Sequence, residues 1–126
     1  MTLKGISLTL MLAILPAVST ATQLLRQPAL HGDTLVFTYA NDIWKTSVNG
    51  GKAQRLTSFQ GSESQPVISP DGNYIAFTGE YEGNRDVFVV SVNGGEPQRL
   101  TYHPGADAAV GWTPDSQQVL FSSARF

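Results

Sequence analysis

One eleven-residue phrase is written twice in this chain, as SVNGGKAQRLT at 47–57 and as SVNGGEPQRLT at 91–101. Nine of the eleven positions are identical at an offset of 44 residues. A second phrase keeps the same spacing: Ser69-Pro70-Asp71-Gly72 returns as Thr113-Pro114-Asp115-Ser116. Self-similarity at a fixed period of this size marks a supersecondary unit that is stacked and cannot bury its apolar surface alone.

The content of the unit is β. The segments 34–39 (TLVFTY), 43–48 (IWKTSV), 74–78 (YIAFT), 87–92 (VFVVSV) and 119–122 (VLFS) are of strand length and rich in β-branched and aromatic residues. Between them stand turn signals. Asn49-Gly50 and Asn93-Gly94 are dipeptides that tolerate two consecutive positive φ angles, so a type I′ reversal is expected at each. In Ser69-Pro70-Asp71-Gly72 the proline pre-sets φ at the second position, Asp71 suits the third and Gly72 takes a left-handed fourth; Pro114 and Asp115 repeat this. No helical periodicity of useful length occurs beyond residue 21.

Superimposing the copies defines a unit of four strands in 37 residues, 65–101. An earlier copy, 27–57, has a first turn two residues shorter and a second loop four residues shorter, and a later copy, 109–126, covers two strands. Four strands in about 40–45 residues is the period of a β-propeller blade. Such a sheet is apolar on both faces and is buried only by stacking between neighbours, which explains why YIAFT and VFVVSV run apolar without clean alternation. A β-sandwich also uses short strands and such turns, but has no need of a self-copy. The expected fold is all-β: a partial propeller of about two and a half antiparallel, four-stranded, WD-like blades over 22–126. Two and a half blades leave a sheet face and strand edges uncovered, so the chain is expected to be a piece of a longer protein, with its ring closed by further blades or by other copies of itself.

The first 21 residues read differently. Lys4 precedes the apolar run 6–18 (ISLTLMLAILPAV), and Ser19-Thr20-Ala21 places small residues before a cleavage point. Thirteen residues at about 1.5 Å each give roughly 20 Å, short of the ~30 Å hydrocarbon core. Residues 1–21 are therefore expected to be a cleaved secretory signal, delivering the mature chain to the periplasm with no remaining membrane attachment. The absence of cysteine makes it independent of disulfides. Eight basic against ten acidic residues, without runs of like charge, argue against a nucleic-acid surface.

Catalytic chemistry is not legible. There is no G-x-S-x-G, and His31 and His103 stand in turns with no serine placed beside them. Two isolated histidines without cysteine or H-E-x-x-H make no metal site, and no cofactor is expected. Asp71 and Asp115 are expected to cap their turns, and Asp42 and Asp86 to satisfy backbone amides or pair with Arg55 and Arg99. Trp44 and Trp112 suit blade core better than a peptide platform. The longer loop of the second copy, with Glu80, Tyr81, Glu82, Asn84 and Arg85, and with His103 after the fourth strand, is the candidate surface for peptide contact.

These residues also carry a family resemblance. The SPDG turn followed by IAFTGE and the NGG-x-x-QRLT strand are shared with the TolB propeller and with those of prolyl oligopeptidase and dipeptidyl peptidase relatives. The combination of EYEGN (80–84), RLTYHPGAD (99–107) and GWTPD (111–115) resembles more narrowly the amino-terminal propeller of Tricorn-type serine peptidases, over 24–125. The resemblance implies a large peptidase whose six-bladed first propeller is followed by a second propeller, a PDZ-like domain and a catalytic core supplying the serine and histidine. The propellers would pass or dock peptides, and this stretch would do no chemistry. A secretory signal departs from the cytosolic setting of the archaeal members and points to a periplasmic homologue. The alternative is a TolB-like periplasmic propeller that binds partner proteins and has no peptidase attached.

Overall fold

The computed structural model describes residues 25–125; the leader expected over 1–21 lies outside them. Ten strands follow one another: β1 (Arg26–His31), β2 (Thr34–Tyr39), β3 (Asp42–Ser47), β4 (Gln54–Arg55), β5 (Ser62–Ile68), β6 (Tyr74–Tyr81), β7 (Asn84–Ser91), β8 (Gln98–Arg99), β9 (Asp107–Trp112) and β10 (Val119–Ser123). They form a sheet in the order β1-β2-β3-β4, a second in the order β5-β6-β7-β8, and a β9-β10 pair. Every neighbouring pair is antiparallel. These are two blades and the first half of a third, so the sequence-derived fold class holds.

Stacking supplies the core. Alternation along β6 sends Ile75 and Phe77 to one face and Ala76 to the other. The first pair meets Val36, Ile43 and Leu56 of the first blade. Ala76 joins Val87, Ala109 and Trp112 on the side of the third. The middle blade is therefore buried on both faces, and Phe77, with no exposed surface, carries about 3–5 kcal/mol against truncation to alanine. Glutamine-proline pairs mark the innermost strands: Gln27 (φ 52°) and Gln65 (φ 54°) take left-handed conformations at bulges in β1 and β5. Pro28 and Pro66, which have no N–H to offer a ladder, fall within those bulges.

Two local expectations are corrected. The Asn-Gly turns are not type I′: in each, the hydrogen bond closes from Gly50 N–H to Ser47 O (3.1 Å) or Gly94 N–H to Ser91 O (2.9 Å), so Val48-Asn49 and Val92-Asn93 are the central pairs. Positive φ begins only at the glycines, with Gly50 at 107° and Gly94 at 91°. This is a type I turn followed by a left-handed glycine, made easy by the second glycine behind it. The two-residue turns with both φ angles positive are instead Ala40-Asn41 and Glu82-Gly83. Nor are residues 80–85 an irregular loop. Glu80 faces Arg85 and Tyr81 faces Asn84 in continuous register, so the four extra residues lengthen the β6-β7 hairpin by two on each side.

The proline turns hold the blades together at one end. Gly72, at φ 77°, lies under the His31 ring, where a Cβ would come within 2.6 Å. That ring's Nε2 lies 2.8 Å from Pro70 O, and Asp71 N–H donates to Ser116 Oγ (3.0 Å), so each turn grips the next. Asp71 accepts hydrogen bonds from Ser69 Oγ and Asn73 N–H, and Asp115 from Thr113 Oγ1 and Gln117 N–H. These bonds, the side-chain hydroxyl first, hold both carboxyls below the ordinary aspartate range.

Candidate functional site

The end of the β6-β7 hairpin sorts the suggested contact residues into two groups. Glu80 and Arg85 form an exposed cross-strand ion pair (3.3 Å), and Glu82 stands at the tip. Tyr81 and Asn84 turn to structural work. The Tyr81 ring packs against Phe59 and Phe88, and its hydroxyl donates to Glu63 Oε1 (2.5 Å). Asn84 Nδ2 donates to Asp86 Oδ2 and to His103 O (3.1 Å each), tying the hairpin to the segment after β8. His103 is exposed, with Nδ1 accepting from Gly105 N–H (2.9 Å). A partner at this end would meet Glu80, Glu82 and Arg85, charged groups on a hairpin paired regularly up to its turn.

Beneath it lie the blade junctions, where the expected Asp42–Arg55 and Asp86–Arg99 pairs form beside Thr57, Thr101, Glu63 and Asp107, which the sequence did not single out. In the first blade Arg55 reaches Asp42 (2.6 Å) and donates through Nε to Thr57 O (2.9 Å). In the second, Arg99 reaches Asp86 (2.7 Å) and Thr101 O (2.8 Å). The threonine hydroxyls accept from Ile43 N–H and Val87 N–H (2.9 Å each). They extend short strands β4 and β8 into a clasp on β3 and β7. Glu63 and Asp107, the acids that open β5 and β9, are buried against these clasps.

Their environments differ. Burial pushes the Glu63 carboxyl up, hydroxyl donors from Thr57 and Tyr81 oppose this, and nearby Asp42 adds to the rise. Burial also pushes the Tyr81 phenol up, reinforced by Glu63. Asp107 is held below the usual aspartate range chiefly by Arg125, whose Nη2 lies 2.5 Å from Oδ2, against the opposing effect of burial. The signal that could have found these acids was present: Glu63 and Asp107 are 44 residues apart, as are Thr57 and Thr101.

The tryptophans serve packing. Trp112 joins the core between the second and third blades and donates through Nε1 to Val67 O (2.9 Å); Trp44 packs edge-on to Tyr39 and donates to its carbonyl (3.2 Å). Among the described residues no three His, Asp or Glu side chains are grouped to hold a metal, and no helix is long and apolar enough to cross a membrane.

Comparison with known proteins places this geometry. A crystal structure of the tricorn protease superposes with a TM-score of 0.67 at 26% identity, covering 74% of this chain and 10% of that one. A crystal structure of TolB from Acinetobacter baumannii superposes with a TM-score of 0.70 at 25% identity, covering 80% of this chain and 27% of that one. Tricorn protease homolog 1 of Streptomyces coelicolor is 37% identical over 59 residues, 47% of this chain but 6% of that protein. The chain thus spans a small part of the relatives it matches. The model of the Tricorn protease N-terminal beta propeller domain matches residues 22–126, through both complete blades and the half blade after them, and on that match the chain belongs to this family.

Proposed function

We propose that this chain is the amino-terminal propeller portion of an exported Tricorn-like serine peptidase, and that it passes or docks peptides while a downstream core cleaves them. The observation that carries the reading is the family match across all the described blades, to the amino-terminal propeller of a protease. Support for a non-chemical role comes from the histidines: the His31 ring is fixed against Pro70 O, and His103 Nδ1 is engaged by Gly105 N–H. Peptides would be met at the β6-β7 hairpin end, where Glu80, Glu82 and Arg85 are presented and neighbouring blades would set the rest of the passage. The leader read in residues 1–21 makes the periplasm the proposed location.

The test is peptide hydrolysis by the full-length gene product, with and without a serine-directed inhibitor, and with Glu80, Glu82 and Arg85 replaced by alanine. Inhibitor-sensitive cleavage, with the triple variant raising KM for charged peptides while kcat holds, is the expected result. Cleavage by an isolated mature 22–126 chain would overturn the reading. A TolB-like interaction propeller is the second reading, favoured by the TolB superposition. It predicts no hydrolysis and retention of envelope proteins by the same surface. Fractionation and amino-terminal sequencing check the location, with mature chain beginning at Thr22 in the periplasmic fraction expected.

A further inference from the structure

We propose that Asn49–Gly50 and Asn93–Gly94 are paired sites of succinimide-mediated deamidation, and that isoaspartate formed there unfastens the fourth strand of each blade. The chain has five asparagines, and only these two precede glycine; Asn41, Asn73 and Asn84 precede Asp42, Tyr74 and Arg85. A glycine nitrogen carries no neighbouring side chain to obstruct its approach to the asparagine Cγ.

The structure adds what the dipeptides alone cannot. Both asparagines are exposed. A Cβ built on Gly50, Gly51, Gly94 or Gly95 would meet nothing within 4 Å, so each turn has open space in which to rotate into the cyclising geometry. Opposing this, the attacking nitrogen is engaged, by Ser47 O at 3.1 Å and by Ser91 O at 2.9 Å. The asparagine N–H groups are also held, by Ser47 Oγ and Ser91 Oγ at 3.1 Å each. Conversion therefore proceeds through brief opening of one turn, without unfolding of the blade.

The step is balanced with water as the sole co-reactant. Gly50 N gives its proton to base and attacks Asn49 Cγ; the new C–N bond closes a five-membered imide, and the side-chain nitrogen leaves as ammonia. Water then cleaves the imide. Opening between the glycine nitrogen and Cγ gives aspartate, and opening between that nitrogen and the main-chain carbonyl carbon gives isoaspartate, with the backbone running through Cβ. One water is consumed and one ammonia released. Asn93 and Gly94 follow the same course.

The consequence comes from position. Strand β4 touches β3 through two register pairs, Trp44↔Arg55 and Lys45↔Gln54, and β8 touches β7 through Phe88↔Arg99 and Val89↔Gln98. An added backbone carbon five residues before each short strand lengthens the connection that sets its register. The contacts at stake are Leu56 N–H to Ile43 O (2.8 Å), Leu100 N–H to Val87 O (2.7 Å), and the two arginine clasps.

The test incubates the full chain at mildly alkaline pH and 37 °C, then maps it by peptide mass and isoaspartyl methyltransferase labelling. Conversion confined to 49 and 93 is expected, and N49Q and N93Q each abolish it at their own turn while leaving the other. Conversion at 49 and 93 no faster than at Asn41, Asn73 and Asn84 would overturn the assignment. In the converted fraction, amide exchange at Leu56 and Leu100 should rise roughly tenfold, as expected for easier local opening. Unchanged exchange there would overturn the unfastening.

Discussion

At the junction between the first and second blades the buried acid is Glu63, answered by hydroxyls from Thr57 and Tyr81; at the next junction it is Asp107, answered by the guanidinium of Arg125. The positions correspond: Glu63 precedes Asp107 by 44 residues and Tyr81 precedes Arg125 by the same number. A carboxylate removed from water needs hydrogen bonds and, at best, a counter-charge. The second junction has both. The first has hydroxyl donors, with Asp42 close enough to oppose ionisation. One repeat thus accommodates a buried acid by opposite means: one junction favours the proton and the other favours the charge.

Breaking the charged junction should have the largest effect. Arg125→Met leaves the buried Asp107 carboxylate with only the Ser123 and Thr101 hydroxyls. The expected loss is about 3 kcal/mol, at the lower end for a buried pair because the Arg125 side chain is 39% exposed. Denaturant unfolding of the full chain measures it; a loss below about 1 kcal/mol would mean that the hydroxyls suffice. The matching change at the first junction, Tyr81→Phe, keeps the ring contacts with Phe59 and Phe88 and removes one donor. It should cost about 1–2 kcal/mol and push the Glu63 carboxyl further up.

The same contrast predicts opposite pH slopes. Glu63 binds its proton more tightly folded than unfolded, so its contribution is present below its ordinary value of 4.5 and is lost as pH rises toward its raised value. Asp107 binds its proton less tightly folded, so its contribution is present above 3.8 and is lost as pH falls through its lowered value. Thermal midpoints across pH for E63Q and D107N separate the two. E63Q should flatten the decline on the weakly acidic side, and D107N the steep loss in strong acid. If D107N alone flattened both limbs, the assignment of opposite protonation preferences would fail.

How much of this could be read beforehand depends on whether partners lie close in the repeat. The blades were legible because the 44-residue copy forces stacking, and the Asp42–Arg55 and Asp86–Arg99 pairs because third and fourth strands are neighbours. The turn type was not legible: NGG offers two candidate pairs, and the Ser47 O and Ser91 O hydrogen bonds choose the one that begins at valine. EYEGNR reads as a polar loop, yet the Glu80–Arg85 pair and the inward Tyr81 extend the ladder through it. Glu63 and Asp107 look like ordinary surface acids until Tyr81 and Arg125, each 18 residues away, are brought over them.

The smallest effect gives the finest comparison. Thr38 and Thr78 occupy matching places, each following a buried phenylalanine and pairing with Ile43 or Val87. Thr78 Oγ1 accepts from Ala109 N–H (3.0 Å) across the second junction and donates to Gln65 Oε1 (2.9 Å). At the first junction the amide 44 residues before Ala109, that of Gln65, donates instead to Gln27 Oε1 (2.8 Å), and buried Thr38 Oγ1 has no hydrogen-bond partner among the described residues. Valine preserves the shape at either site. Thr78→Val should cost about 1–2 kcal/mol, because the Ala109 amide is left unsatisfied. Thr38→Val removes a hydroxyl already without a partner and should change stability by about 0.5 kcal/mol or less, with a gain as acceptable as a loss. Equal losses at the two sites would mean that Thr38 is satisfied in solution, by water or by a group outside residues 25–125.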